Sequence, residues 1–290
     1  MWLVATCIVP LVFAVELFPG DDWLRAVEEA ADGDVVRLAP GRYSPCGATI
    51  QNNRRVTVEG TAGAAETILD CNYSGRHFSI KPGAHLTLTG VSLVNGRQNC
   101  VTADCSEANC QIPDCSDALG GAIAVWGGSF VLHDSRISGC SAEGAGAIII
   151  GAGAIMNATN VIFESNEART LGAGAILATP DSTVMLEGCS FIANTALAGG
   201  AGAIAVVGAR ATVRGKVCAR GTPPLANSPP PWRVALSAEK HGSNLPPCCA
   251  ASQGRGGQAG RCNPGCSALK APRLGQPVGS DGRPFHQKST

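Results

Sequence analysis

Aromatic and charged side chains are both scarce in this chain. Of its 290 residues, 4% are aromatic and 15% are charged, whereas 45% are hydrophobic. Globular domains usually carry about 25% charged residues. This composition excludes disorder over the whole length, because a chain with so much apolar surface can bury a substantial core. Glycine is abundant, with 37 residues, so we expect small core side chains and closely approaching backbones.

The sequence also lacks an apolar run long enough to cross a membrane as a helix. Leu3–Val15 is an uncharged apolar run of 13 residues, and a span needs about 20. Small residues near Ala14 suit a signal peptidase, so residues 1–15 are predicted to be a signal peptide. The mature chain would then be secreted or held at the cell surface, without a transmembrane span. A membrane-retained anchor, a misplaced start and a buried strand are the alternatives.

The charges sum to zero but are unevenly distributed. Residues 1–215 carry 12 Lys/Arg and 20 Asp/Glu, whereas residues 216–290 carry 10 and 2. The second segment is rich in Pro and Gly and is predicted to be a disordered basic tail. Its charges form no cluster and have no interleaved aromatics, so we expect no nucleic-acid partner. Truncation or a faulty gene model is the other interpretation of this tail.

Cysteine, in contrast, is plentiful, with 14 residues. Four of them recur every five residues in a polar segment over 97–116, namely Cys100, Cys105, Cys110 and Cys115. We interpret this segment as a loop held by disulfides, consistent with export, and its connectivity stays open. A structural zinc site is the competing interpretation.

The middle of the chain contains an internal repeat. Gly-Ala-Ile occurs four times, and its isoleucines, at spacings of 25, 28 and 28 residues, are Ile123, Ile148, Ile176 and Ile204. Each copy leads into a stretch of alternating apolar residues, which is typical of a strand with one buried face. A further apolar residue and then Gly, Cys or Asn follow at fixed distances. Gly96, Cys140, Asn166 and Asn194 are thus expected at a bend with positive φ.

Turns of about 25 residues leave no room for crossover helices, so the chain must coil with its strands in parallel register. The fold class is therefore predicted as an all-β, right-handed parallel β-helix over residues 20–215. The spacing between Leu93 and Ile137 is 44 residues, and the excess over one turn matches the cysteine-rich loop. Asp22, Trp23 and Val27 fit the start and apolar face of a short N-terminal capping helix.

The repeats carry a family resemblance. The strings GGAI at 120–123, FESN at 163–166 and FIAN at 191–194 resemble the repeats of chlamydial polymorphic outer membrane proteins. The opening DGDVVRLAPGRYS at 32–44 resembles the first coil of pectin-lyase-like β-helix proteins. The first resemblance implies a surface-exposed or adhesive role. The second implies that enzymes of this fold, which cleave polysaccharides with clustered aspartates and in some cases calcium, must be considered.

The sequence offers few candidate site residues. His133, Asp134 and Arg136 form the one polar cluster that we single out as a catalytic candidate, and solvated side chains are its alternative interpretation. Asn72 and Asn157 begin Asn-x-Ser/Thr acceptor patterns for N-glycosylation. No cofactor or metal is expected, and calcium would enter only with a lyase.

Two functional hypotheses follow from these features. The first is a non-catalytic β-helix that binds an extracellular glycan or a surface protein. The alternative is a polysaccharide lyase or glycoside hydrolase acting on an acidic polysaccharide, and a degraded copy without a function of its own is a third possibility.

Overall fold

The computed structural model describes residues 13–100, 117–170, 172–197 and 200–214, together with the strand at 218–220. These residues form one helix and 24 strands. The strands belong to four parallel sheets, which we name A to D. The leader predicted over residues 1–15 lies outside the described residues except for its last three. Of the tail predicted over 216–290, only the strand at 218–220 is described.

Sheets A and B are the two largest sheets. In chain order, sheet A contains β1 (Ala14–Leu17), β2 (Val35–Leu38), β5 (Arg55–Gly60), β8 (His85–Thr89), β11 (Ser129–His133), β15 (Ile155–Thr159), β19 (Thr183–Glu187) and β23 (Arg210–Arg214). Sheet B contains β3 (Gly41–Tyr43), β6 (Thr67–Asp70), β9 (Ser92–Val94), β12 (Arg136–Ser138), β16 (Ile162–Glu164), β20 (Ser190–Ile192) and β24 (Cys218–Arg220).

Sheets C and D complete the turns. Sheet C contains β4 (Ala48–Ile50), β7 (Phe78–Ile80), β10 (Ile123–Val125), β14 (Ile148–Ile150), β18 (Ile176–Ala178) and β22 (Ile204–Val206). The small sheet D contains β13 (Ser141–Ala142), β17 (Glu167–Ala168) and β21 (Thr195–Ala196). The chain passes from sheet A to B to C and returns to A, so each circuit is one turn of a β-solenoid.

The predicted columns of apolar residues are confirmed. Ile123 pairs with Ile148, Ile148 with Ile176, and Ile176 with Ile204, always in parallel register. A second column runs through sheet B, where Leu93, Ile137, Phe163 and Phe191 are successive partners. All these side chains are buried. The rings of Phe163 and Phe191 stack with centroids 4.8 Å apart, which is the spacing of neighbouring strands.

The predicted N-terminal helix is also present, as α1 (Trp23–Glu29). The Asp22 carboxylate accepts a hydrogen bond from the Arg25 amide, which caps the first turn. Trp23, Val27 and Ala30 are buried, as expected for one face of a helix. The Trp23 ring contacts Phe78 edge-on at 5.9 Å, so the helix packs on the core of the first turns.

The expectation for the bend after sheet B is wrong by one residue. Positive φ occurs at Asn95, Gly139, Ser165 and Ala193, each immediately before a residue that we expected to adopt it. Asn166 and Asn194 instead turn their side chains into the solenoid, where both are buried. Their amides hydrogen-bond to backbone groups of adjacent turns. At these two positions asparagine therefore serves for hydrogen bonding rather than for its backbone conformation.

Candidate functional site

A concavity among the described residues lies on the outer face of sheet A. Strand alternation points every second side chain of β11, β15, β19 and β23 outward. Together with the inward-facing Ala158 and Leu186 between them, they border a shallow depression of about 290 Å³. Its outward-facing residues are Val131, His133, Asn157, Thr159, Met185, Glu187, Thr212 and Arg214. This volume is at the lower end of small-molecule sites, which hold roughly 300–1,000 Å³.

Strand register fixes the arrangement of the polar groups around the depression. His133, Thr159, Glu187 and Arg214 are successive partners and form one outward column. Because neighbouring strands lie about 4.8 Å apart, His133 and Glu187 are separated by about 10 Å. The short side chain of Thr159 lies between these two longer ones, which contributes to the hollow.

A second outward column lines the depression beside the first. It contains Val131, Asn157, Met185 and Thr212. Met185 keeps 40% of its surface exposed. The Oδ1 atom of Asn157 is buried and has no hydrogen-bond partner among the described residues. The depression thus combines an exposed apolar side chain with hydroxyl, amide, imidazole and charged groups.

These groups are better suited to binding than to acid–base catalysis. Glu187 contributes the one carboxylate of the lining, whereas glycoside hydrolysis generally uses a pair of carboxyl groups. A general base must lie within hydrogen-bond reach of its proton, and His133 and Glu187 are too far apart to act directly on each other. Hydroxyl and amide groups beside an apolar side chain can instead hydrogen-bond a polar ligand and cover its apolar face.

The three residues of the predicted polar cluster point to different partners. His133 ends β11 and lines the depression. Asp134 occupies the next bend with a φ of 47°, and its carboxylate accepts a hydrogen bond of 3.1 Å from Asn160. Arg136 begins β12 on sheet B and forms an ion pair with Glu164 of the next turn. The bend therefore separates residues that are close in sequence.

The two glycosylation acceptor positions differ in their environment. Asn72 is exposed in a bend after β6, where its backbone has a φ of 45°. Asn157 lies inside β15 and is half-buried. An acceptor in an exposed bend is more accessible in the folded chain than one within a sheet.

The cysteine side chains that the structure describes occur in three settings. Cys46 and Cys71, separated by 25 residues, form a disulfide. Cys140 and Cys189 are free and buried, and burial raises the pKa of both thiols, that of Cys140 to about 12. Cys100 is disulfide-bonded. Cys105, Cys110 and Cys115 lie outside the described residues, so the predicted disulfide loop stays a prediction.

His77 lies beside the Cys46–Cys71 disulfide. Each of the three residues has one potential ligand atom within 4.8 Å of the others. The imidazole is fully buried, and this burial lowers the pKa of His77 to about 4. The ring is therefore neutral at neutral pH. Sequence analysis did not find this cluster, because Cys46 lies one turn before Cys71 and His77 and the three residues match no motif spacing.

Within the described segments, no helix combines the length and apolar character needed to cross a membrane. Neither a comparison with protein-family models nor one with curated proteins found a match for this chain.

Proposed function

We propose that this protein is a secreted or cell-surface β-helix that binds an extracellular glycan without chemically altering it. The observation that carries the proposal is the depression on sheet A, with its in-register polar groups around Met185. Parallel strands repeat every 4.8 Å or so, so the outer face of sheet A offers an extended chain a regular series of contacts. A glycan has both hydroxyl groups and apolar ring faces that such a lining can contact.

Sequence features support the same proposal. The apolar run at Leu3–Val15 is typical of export, and the Cys46–Cys71 disulfide suits an oxidising compartment. The repeats that resemble chlamydial polymorphic outer membrane proteins, and the opening that resembles pectin-lyase-like proteins, favour an extracellular role on a right-handed β-helix. A surface protein is the other partner that this face could bind.

The proposal is tested by measuring binding of the full chain to a panel of neutral and acidic oligosaccharides. Glu187→Gln and Met185→Ala each remove a group from the depression and should weaken binding about tenfold, equivalent to about 1.4 kcal/mol. Ile162→Ala is the matched control, because Ile162 is also 40% exposed but lies on sheet B. Equal weakening by the control, or no binding to any oligosaccharide, contradicts the proposal.

The enzymatic alternative is tested with polygalacturonate, in the presence and absence of calcium. Unsaturated or shortened products above a heat-inactivated control would replace the binding proposal with a catalytic one. We expect no product, because the depression lacks paired carboxyl groups.

A further inference from the structure

A serine, a histidine and a threonine form a hydrogen-bonded chain on the outer face of sheet A. Ser129 of β11 lies opposite His85 of β8 in the parallel register, and the alternation of both strands turns Ser129, His85 and Thr87 outward. The Oγ of Ser129 lies 2.5 Å from Nδ1 of His85, and the Oγ1 of Thr87 lies 3.1 Å from Nε2 of the same ring. All three side chains are half-buried, so a molecule from solvent can reach them.

This arrangement is typical of an activated serine. A serine hydroxyl is a weak nucleophile until a base within hydrogen-bond reach accepts its proton, and a third group commonly orients that base. In the tautomer with its proton on Nε2, His85 donates to Thr87 and accepts the Ser129 hydroxyl proton through Nδ1. Burial and, to a smaller extent, the charge of Arg55 lower the pKa of His85. The ring is therefore neutral at neutral pH, and its lone pair is available to Ser129.

A cation lies on the other side of the histidine. Arg55 of β5 is the register partner of His85, so Arg55, His85 and Ser129 follow one another in a single outward column. Nε and Nη2 of Arg55 bind the Asp32 carboxylate, whereas Nη1 is engaged in no hydrogen bond to the described residues. A guanidinium N–H can stabilise the negative charge that develops on a carbonyl oxygen under attack. Sheet register thus brings a nucleophile, a base and a cation together.

We propose that Ser129 is the nucleophile of a serine–histidine pair that hydrolyses small carboxylic esters. The Ser129 oxygen bonds to the ester carbonyl carbon while its proton passes to Nδ1 of His85. The tetrahedral intermediate expels the alcohol, which takes that proton, and an acyl-serine remains. Water then attacks the acyl carbon with His85 again as the base, which releases the carboxylic acid and restores Ser129. This activity goes beyond the proposed glycan binding and does not depend on it.

The surroundings of Ser129 favour a short acyl group. Ile155 is the register partner of Ser129 on the side away from His85, and 44% of its surface is exposed. An alkyl group of the size of a methyl can pack against this side chain while the carbonyl carbon meets the Ser129 oxygen. No residue of this column borders the depression, so the column offers a substrate few other contacts. We therefore expect weak substrate binding and turnover of short acyl groups such as acetyl.

The experiment follows hydrolysis of p-nitrophenyl acetate by the full chain, and peptide mass spectrometry locates the acetyl group. We expect acetylation of Ser129 and its loss in Ser129→Ala. His85→Gln should slow acetylation of Ser129 about 100-fold, since a general base contributes at least that much. Ser190→Ala is the matched control, because Ser190 is also a half-buried, outward-facing serine but lies on sheet B, and this variant should keep the full rate.

Thr87 is a positioning residue in this scheme, and its test separates orientation of the ring from a merely structural role. Thr87→Val should lower kcat with little change in KM, because the valine cannot accept the proton on Nε2. Thr87→Ser keeps the hydroxyl and should restore kcat. Equal rates in Thr87→Val and the unmutated chain would contradict the orienting hydrogen bond.

An unmodified Ser129 overturns the proposal, even where other nucleophiles of the chain become acetylated. Equal ester hydrolysis by Ser129→Ala and the unmutated chain overturns it too. Should Ser129→Ala or His85→Gln fail to fold, a fluorophosphonate probe, which bonds to activated serines, decides on the unmutated chain. The probe must label Ser129 faster than Ser190, and equal labelling of the two serines refutes the activation.

Discussion

At the scale of single residues, Asn166 shows how a buried polar side chain can hold two turns together. Its Oδ1 accepts from the Cys140 amide at 3.0 Å. Its Nδ2 donates to the Ile137 carbonyl at 3.0 Å and to the Asn194 Oδ1 at 2.9 Å. At the bend, the Cys140 amide and the Ile137 carbonyl cannot both pair with backbone groups of a neighbouring strand. The Asn166 side chain supplies their hydrogen-bond partners instead. In the earlier turn, the Cys140 sulfur accepts from the Gly96 amide.

Asn166→Ala should destabilise the fold by about 3 kcal/mol, because it leaves several buried partners unpaired at about 1–3 kcal/mol each. Urea unfolding followed by circular dichroism measures the change. Asn160→Gly is the control. It removes one exposed hydrogen bond to Asp134 while keeping the positive φ of 56° accessible, and it should cost less than about 1 kcal/mol. Equal losses of unfolding free energy in Asn166→Ala and Asn160→Gly would contradict a stabilising role for the buried amide.

His77 makes stability depend on pH. Burial lowers its pKa from 6.5 to about 4, so the unfolded chain binds the proton at a higher pH than the folded chain does. The contribution of His77 to the free energy of unfolding is therefore fully present above about pH 6.5. It is lost as the pH drops towards 4, by about 3 kcal/mol in total. Urea unfolding between about pH 7 and pH 4.5 should show a steeper loss for the unmutated chain than for His77→Gln.

Other titratable groups do not affect the comparison of the unmutated chain with His77→Gln. Burial also lowers the pKa of His85, but His85 is present in both proteins and its effect cancels. Hydrogen bonds from Arg55 lower the pKa of Asp32 to about 2, which is below the pH range of the measurement. Identical pH dependence in the two proteins would contradict a buried, neutral His77.

At the scale of repeated elements, the Gly-Ala-Ile motif is explained by contact between backbones. A Cβ on Gly146 would lie 2.0 Å from the Gly174 carbonyl oxygen, and one on Gly174 would lie 2.2 Å from that of Gly202. Neither glycine has a positive φ. These positions therefore require glycine because successive turns leave no room for a side chain. The strands of sheet D also approach here, since the Thr195 amide nitrogen would lie 2.5 Å from the added Cβ of Gly174.

Gly174→Ala should destabilise the fold by about 3 kcal/mol, in the upper part of the range for overpacking a close-packed region. Gly75→Ala is the matched control, because a Cβ there meets nothing within 4 Å and needs no unusual φ. The control should change the free energy of unfolding by less than about 0.5 kcal/mol. Thermal or urea denaturation distinguishes the two, and a tolerated Gly174→Ala would disprove the contact.

The columns in the core could be predicted from the sequence, whereas the depression and the cysteine cluster could not. Ile123 and Ile148 were placed in register because apolar alternation and spacing are local properties of the chain. The depression depends on the relative sizes of side chains on four strands, such as the short Thr159 between His133 and Glu187. Asn166 was placed at the bend, but asparagine suits both positive φ and side-chain hydrogen bonding, so its role required coordinates.

At the scale of the whole molecule, stability is expected to vary along the solenoid axis. Each turn contacts only its neighbours, so its stability depends on them and on the cap at its end. The cap is α1, whose Trp23 is fully buried. Its indole nitrogen has no hydrogen-bond partner among the described residues, so the ring stabilises the fold by packing rather than by hydrogen bonding.

Trp23→Ala should accelerate amide hydrogen exchange by at least about tenfold in β2, β4 and β5, and much less in β14 and β15. The reason is that loss of the ring exposes the core of the first turns while the central turns keep both neighbours. Trp23→Phe retains most of the packing and should change exchange little. A uniform acceleration along the chain would show that the solenoid opens as a single cooperative unit.

Leu93 and Ile137 are partners in adjacent strands, although they are separated in sequence by almost twice the usual length of a turn. The strands on both sides therefore regain their register although more than one turn's length of chain separates them. Closing a longer segment adds only about 0.6 kcal/mol for each doubling of its length. Lengthening or shortening this segment should therefore cost little stability and leave the pairing of β9 with β12 intact.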